Sequence, residues 1–265
     1  MIVETLEGLA SQLQNGKTTS RDLTEACLAC IEDEAGEGVR AFLSTDAEGA
    51  IATADFMDGR RRAGRAPSPY AGIPISLKDL FDVAGEVTAA GSTILRSSEP
   101  VTADATCVAR LRAAGFVFLG RTNMTEFAYS GVGVNPHYGT PKSVWDRAQG
   151  RIPGGSSSGA AVSVADGMAY MGLGTDTGGS CRVPAAFNGI TGYKSSTGRV
   201  PRDGVFPLSD TLDTVGPLAN SVQCCSTIDS MMAGDRTGQL LARDPASLRF
   251  GILQHVAMDA MDPEV

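Results

Sequence analysis

The hydrophobic positions at the start of the chain recur at three- and four-residue intervals, which predicts helices over Thr5–Gln14, Ser20–Glu34 and Asp46–Arg62. Thr18, Thr19 or Ser20 can supply the capping oxygen of the second. The period then changes: Ile73-Pro74-Ile75-Ser76-Leu77-Lys78-Asp79 alternates apolar and other residues as a strand does, with Lys78 at its polar end. Ala105–Ala114 returns to helical spacing and Gly115 stops it. Phe116-Val117-Phe118-Leu119-Gly120 is then a continuous apolar run, as expected of a strand buried on both faces. A Ser/Gly loop leads into the Ala- and Val-rich stretch Gly159–Met168, a buried helix whose N-terminus faces that loop. Met171–Thr175 reads as the next strand, and Pro184 suits the first turn of a further helix. Near the end, Arg249-Phe250-Gly251-Ile252-Leu253 has the pattern of a strand. Asp262-Pro263-Glu264-Val265 looks like a helix start, so further sequence is expected to follow it.

Helices followed by buried strands imply an α/β sheet. No internal repeat or linker interrupts the pattern, so one α/β domain over 1–265 is the simplest organisation. A chain of 265 residues can bury a full apolar core without disulfide or metal staples. Its 32 glycines stand among 42% hydrophobic residues with no low-complexity run, which marks them as placed in turns and close backbone approaches.

Charge and cysteine content narrow the function classes. The net charge of −8 repels phosphate backbones and anionic membrane surfaces, so direct nucleic-acid binding is not expected. The one basic cluster, Arg60-Arg61-Arg62 with Arg65, precedes a proline-containing loop and reads as a solvated surface segment. The N-terminus carries Glu4 and Glu7 and no basic leader region, and no apolar run reaches spanning length. A cytoplasmic protein without membrane association is the expectation. Cys27 and Cys30 form a C-x-x-C, but with Leu23, Ala26 and Ile31 they fall at helical spacing, as small core hydrophobes would. No second pair completes a metal site.

The stretch Gly174-Thr175-Asp176-Thr177-Gly178-Gly179-Ser180-Cys181-Arg182-Val183-Pro184 holds two competing signatures. Asp176-Thr177-Gly178 matches one lobe of an aspartic protease, yet no second such loop exists and the α/β pattern is wrong for that class. Gly155-Ser156-Ser157-Ser158-Gly159 matches a nucleophile elbow centred on Ser157, which would need His137 or His255 as base, but the preceding residues do not form a strand. A phosphate loop lacks its lysine. What remains is a pair of serine loops and a lysine at a strand end.

Those loops resemble the amidase signature family. The match covers Gly72 to Asp79, Thr122-Asn123-Met124 with Glu126-Phe127, Pro153 to Ser158, Gly174 to Pro184, and Gly192-Tyr193-Lys194 with Gly198-Arg199-Val200, in family order. The resemblance implies an α/β fold with a central mixed β-sheet covered by helices on both faces. It also implies a Ser-cisSer-Lys triad: Ser180 as nucleophile, Ser156 as the bridging serine after a cis bond, and Lys78 as base. A lysine serves as base only if desolvation lowers its pKa, and the apolar neighbours Ile75, Leu77 and Leu80 suit that. Backbone N–H groups of Thr177, Gly178 and Gly179 would then form the oxyanion hole. Asp176 and Arg182 would fix the loop, and Ala128 and Tyr129 fall where family members line the acyl pocket. No metal and no cofactor are implied. The resemblance implies hydrolysis of a linear carboxamide to carboxylate and ammonia; the same family includes glutaminase-type subunits of tRNA-dependent amidotransferases. Partners are then a small-molecule amide, and either a homodimer mate or amidotransferase subunits; a non-catalytic docking role is the alternative that the intact Lys78, Ser156 and Ser180 oppose. Here Ser158 replaces a glycine common in the family's GGSSGG. Members also usually run well beyond 265 residues, so part of the domain is expected after residue 265.

Overall fold

A computed structural model describes residues 4–235 and 244–251. Helix α1 (Leu6–Gln14) starts where the Thr5 side chain accepts the N–H of Gly8. In α2 (Ser20–Glu32), Thr19 and Asp22 exchange hydrogen bonds in a capping box, satisfying N–H groups that the helix itself cannot pair. A second cap comes from α4 (Ala47–Arg62), whose buried Asp58 accepts from Ser20 N at 2.8 Å and Arg21 N at 3.1 Å. The buried face of α2 differs from the expected one. Thr24 and Leu28 are inside in place of Ala26 and Cys30, which are exposed. The Thr24 hydroxyl bonds Ser20 O, which removes the penalty for burying it, and Leu28 hides more apolar area than either alternative.

The short helix α3 (Gly38–Ala41) and strand β1 (Phe42–Thr45) are too brief for periodicity to reveal. Strands β2 (Pro74–Lys78) and β3 (Val117–Thr122) flank α5 (Thr106–Ala113). Helix α6 (Ser158–Ala165) is shorter than the pattern suggested, because Gly167 turns into the left-handed region at φ 74°. Then come β4 (Met171–Asp176), α7 (Arg182–Phe187), β5 (Thr191–Gly192), β6 (Thr214–Ala219) and α8 (Val222–Ala233). Of the expected strand over Arg249–Leu253, Arg249–Gly251 pair with no strand among the described residues, and Ile252 and Leu253 lie outside them, as do His255 and 262–265.

The six strands form one mixed sheet in the order β1-β3-β2-β4-β6-β5. β3, β2 and β4 run parallel, while β1, β6 and β5 join antiparallel. On one face Ile75, Leu77, Met171, Leu173 and Val215 pack with α1, α5 and α8. On the other, Val117 and Leu119 pack with α6, α2 and α4, and Ser76 meets Ser163 of α6 at 2.9 Å. Two glycines set how close α6 comes: a Cβ on Gly172 would lie 2.7 Å from Ala160 O, and one on Gly174 2.7 Å from Ser157 Oγ. This contact seats the loop before α6 over the carboxyl ends of β2 and β4, where parallel sheets place their ligands. Among the described residues no helix is long and apolar enough to cross a membrane.

Candidate active site

Lys78 closes β2 and Asp176 closes β4, so the sheet delivers both to the same edge as the Ser/Gly loop. Lys78 is fully buried, with Nζ 2.8 Å from Ser156 Oγ and 2.9 Å from Thr175 Oγ1. Among the described residues it forms no ion pair. Asp79, its sequence neighbour, turns away to Arg121 at 3.3 Å. Burial lowers the Lys78 pKa from 10.5 to about 7, against the opposing pull of Cys181, Asp176 and Asp213. The Cys181 thiol is itself held protonated by burial, which leaves Asp176 and Asp213 as the anions acting on Lys78 near neutral pH.

The loop carrying Ser156 is held by backbone on every side. Gly155 N donates to Gly131 O at 2.7 Å, Thr125 N donates to Ser156 O at 3.1 Å, and Ser157 N donates to Ser180 O at 3.3 Å. The Gly155–Ser156 peptide bond is cis. Position 155 admits no side chain, since a Cβ there would stand 2.6 Å from Gly133 N. Ser180 is buried at the start of the turn into α7, and its hydroxyl makes no hydrogen bond among the described residues.

Between β4 and Ser180, the N–H groups of Thr177, Gly178 and Gly179 likewise have no acceptor among the described residues. Gly179 has φ 144°, which favours glycine, and a Cβ at Gly178 would meet nothing within 4 Å. Asp176 fixes this loop. Its buried carboxylate accepts from Cys181 N at 3.1 Å, and from Arg182 Nε at 2.9 Å and Nη2 at 2.8 Å. Burial alone would raise its pKa, but the Arg182 and backbone bonds outweigh it and hold the group below the usual carboxylate range.

The two rival signatures come apart in three dimensions. Asp176 pairs with Arg182, and no carboxylate bonds to it among the described residues. Ser157 Oγ lies 3.4 Å from Thr175 O, while His137 pairs with Glu126 at 3.1 Å. Of the two acyl-pocket candidates, Tyr129 lines an open cavity of about 470 Å³ with Phe127, Val134, Pro136, Pro207 and Leu208. Ala128 is buried behind that wall; both Phe127 (φ 52°) and Ala128 (φ 59°) adopt left-handed backbone there.

Sequence reasoning overlooked two residues. Thr175, the second partner of Lys78, precedes the candidate aspartate by one position and could have been suspected from the strand pattern. Asp213 accepts from Thr177 Oγ1 across the end of the sheet. Only the pairing of β4 with β6 brings it there, and no local signal reports that.

Comparison with known proteins identifies the family. The Amidase family profile matches residues 22–264. The chain is 44% identical over 264 residues to AtzE, the 1-carboxybiuret hydrolase subunit of Pseudomonas sp. (strain ADP), covering 95% of this chain and 56% of that protein. It is 42% identical over 274 residues to the A subunit of the glutamyl-tRNA(Gln) amidotransferase of Roseiflexus sp. (strain RS-1), covering 98% and 55%. Its backbone superposes on the peptide amidase of Stenotrophomonas maltophilia with a TM-score of 0.78 at 37% identity, covering 91% of this chain and 48% of that one. The chain thus spans about half the length of the curated relatives it matches. A family match running from α2 to the C-terminal residues, on a mixed sheet shared with solved amidases, means that this chain belongs to the amidase signature family.

Proposed function

We propose that this chain hydrolyses a carboxamide C–N bond to carboxylate and ammonia through an acyl-enzyme on Ser180. The observation that carries the reading is a fully buried lysine, free of carboxylate contact among the described residues, 2.8 Å from a serine hydroxyl. A buried amine with a pKa of about 7 is substantially neutral at working pH and can accept a proton. In this reading Lys78 takes the proton of Ser156 as Ser156 takes that of Ser180, and Ser180 Oγ attacks the amide carbonyl. The carbonyl oxygen gains its charge facing the free N–H groups of Thr177, Gly178 and Gly179. The relay then runs in reverse, protonating the departing amine, and water cleaves the ester by the same route. Asp176 and Arg182 hold the loop, and the cavity beside Tyr129 receives the acyl group.

The names of two relatives favour a partner-dependent form of this activity, since both are called subunits. We assign the chain to a single amidase domain, cytoplasmic, and acting alone, as a homodimer or with amidotransferase-type partners. Ammonia release from glutamine and from simple aliphatic and aryl amides, with and without such partners, tests it. Ser180→Ala abolishes release while the far-ultraviolet circular dichroism stays unchanged. Retention of more than a small fraction of activity in that variant sinks the assignment.

A further inference from the structure

We infer that Asp213 is a positioning residue for this reaction: its carboxylate joins Thr177 of the glycine loop to the Leu208–Ser209 turn beside the substrate cavity, fixing the loop's N–H groups against that wall. The inference rests on the acyl-enzyme reading above.

The geometry begins at the end of the sheet. β4 and β6 pair antiparallel as far as Asp176 opposite Thr214. The next positions along would be Thr177 and Asp213, and there the backbone ladder stops. In its place the Thr177 hydroxyl donates to Asp213 Oδ1. A side-chain bond thus keeps the two chains joined after the last backbone pair, and the N–H groups from Thr177 onward are not consumed by a neighbouring strand. A loop that must present N–H groups to a developing charge needs both rigidity and free donors.

The other carboxylate oxygen reaches the opposite side. Asp213 Oδ2 accepts from Leu208 N at 2.8 Å and Ser209 N at 3.0 Å. Pro207 and Leu208 belong to the wall of the 470 Å³ cavity that also contains Phe127 and Tyr129. Arg202 grips the same turn through its carbonyls, with Nη1 3.3 Å from Ser209 O and Nη2 2.8 Å from Asp210 O. Asp213 is 7% exposed, and none of its three donors is a cation. Its charge therefore stays available to Lys78, whose protonated form it favours together with Asp176. Arg202, Asp203 and Asp210 share the adjoining cavity with it and are the other charged groups on that side.

Three variants of the 265-residue chain test the role. Thr177→Val deletes the hydroxyl contact, Thr177→Ser keeps it, and Asp213→Asn keeps an acceptor while removing the charge. With a small amide, Thr177→Val is expected to lower kcat about 10²-fold with little change in KM, the loss that misplaced donors produce. Thr177→Ser restores kcat. Asp213→Asn lowers kcat and also moves the acid limb of its pH–rate profile to lower pH, which a purely structural residue would not do. Fluorophosphonate labelling of Ser180, read by intact mass, follows the same order, and urea midpoints report folding. Wild-type kcat in Thr177→Val, or an unmoved acid limb in Asp213→Asn, overturns the inference while leaving the acyl-enzyme reading intact. Wild-type protein that neither labels at Ser180 nor releases ammonia overturns both.

Discussion

Replacing Lys78 by methionine keeps a straight, buried side chain but removes the amine, and its effect on stability should change sign with pH. In the folded protein burial holds the Lys78 pKa at about 7; unfolding returns it to its ordinary 10.5. Between those values the unfolded chain binds a proton that the folded chain has released, so this group's contribution to stability rises with pH through the window. It is fully present above 10.5 and at its minimum below about 7. At about 1.4 kcal/mol per pH unit, a window of about 3.5 carries on the order of 5 kcal/mol. Methionine has no such dependence but forfeits the bonds to Ser156 and Thr175, worth about 1 kcal/mol each. The variant should therefore be more stable than wild type by roughly 3 kcal/mol near pH 7 and less stable by about 2 kcal/mol above pH ~10.5, with the curves crossing near pH ~9. Urea unfolding followed by circular dichroism at half-unit steps measures the difference. Buried thiols such as Cys107, pushed up to about 12 by burial, titrate in both proteins and cancel from it. A difference that holds constant from pH 7 to 10 would refute the reasoning, because it would mean that Lys78 keeps its proton when folded.

Three further outcomes follow from the same structure. Lys78→Arg should lower ammonia release at least about 10²-fold at every pH, since guanidinium cannot act as a base; near-normal turnover would remove Lys78 from the mechanism. The wild-type rate should fall with an acid limb centred at about 7, read from kcat/KM across pH 5 to 9. Gly159→Ala puts a methyl group 2.2 Å from Ala41 O and 2.6 Å from Asn123 N, under the α6 end of the serine loop; about 2 kcal/mol or more of stability should be lost in urea melts, and activity with it.

By itself the sequence determined the elements with long, regular apolar periods: α1, α2, α4 and α5, the strands β2, β3 and β4, and a helix with Pro184 in its first turn. Burying one face is what creates such a period, so it is written locally. The lysine at the end of β2 and the two serine loops were equally legible, because their residue types and spacing are unusual for a bland loop. Tertiary structure decided the rest. Which face of α2 turns inward depended on a hydroxyl finding its own backbone acceptor and on Asp58 arriving from another helix. β1 and β5 span four and two residues, too few for a period, and exist because a neighbouring strand offers a ladder. The partners of the serine loop are remote in the chain: Lys78 lies 78 residues from Ser156 in sequence yet is in contact with it. Asp213 illustrates the limit most plainly. Its contact with Thr177 comes from the register between antiparallel strands, and register is a property of two segments at once, which no single stretch of sequence carries.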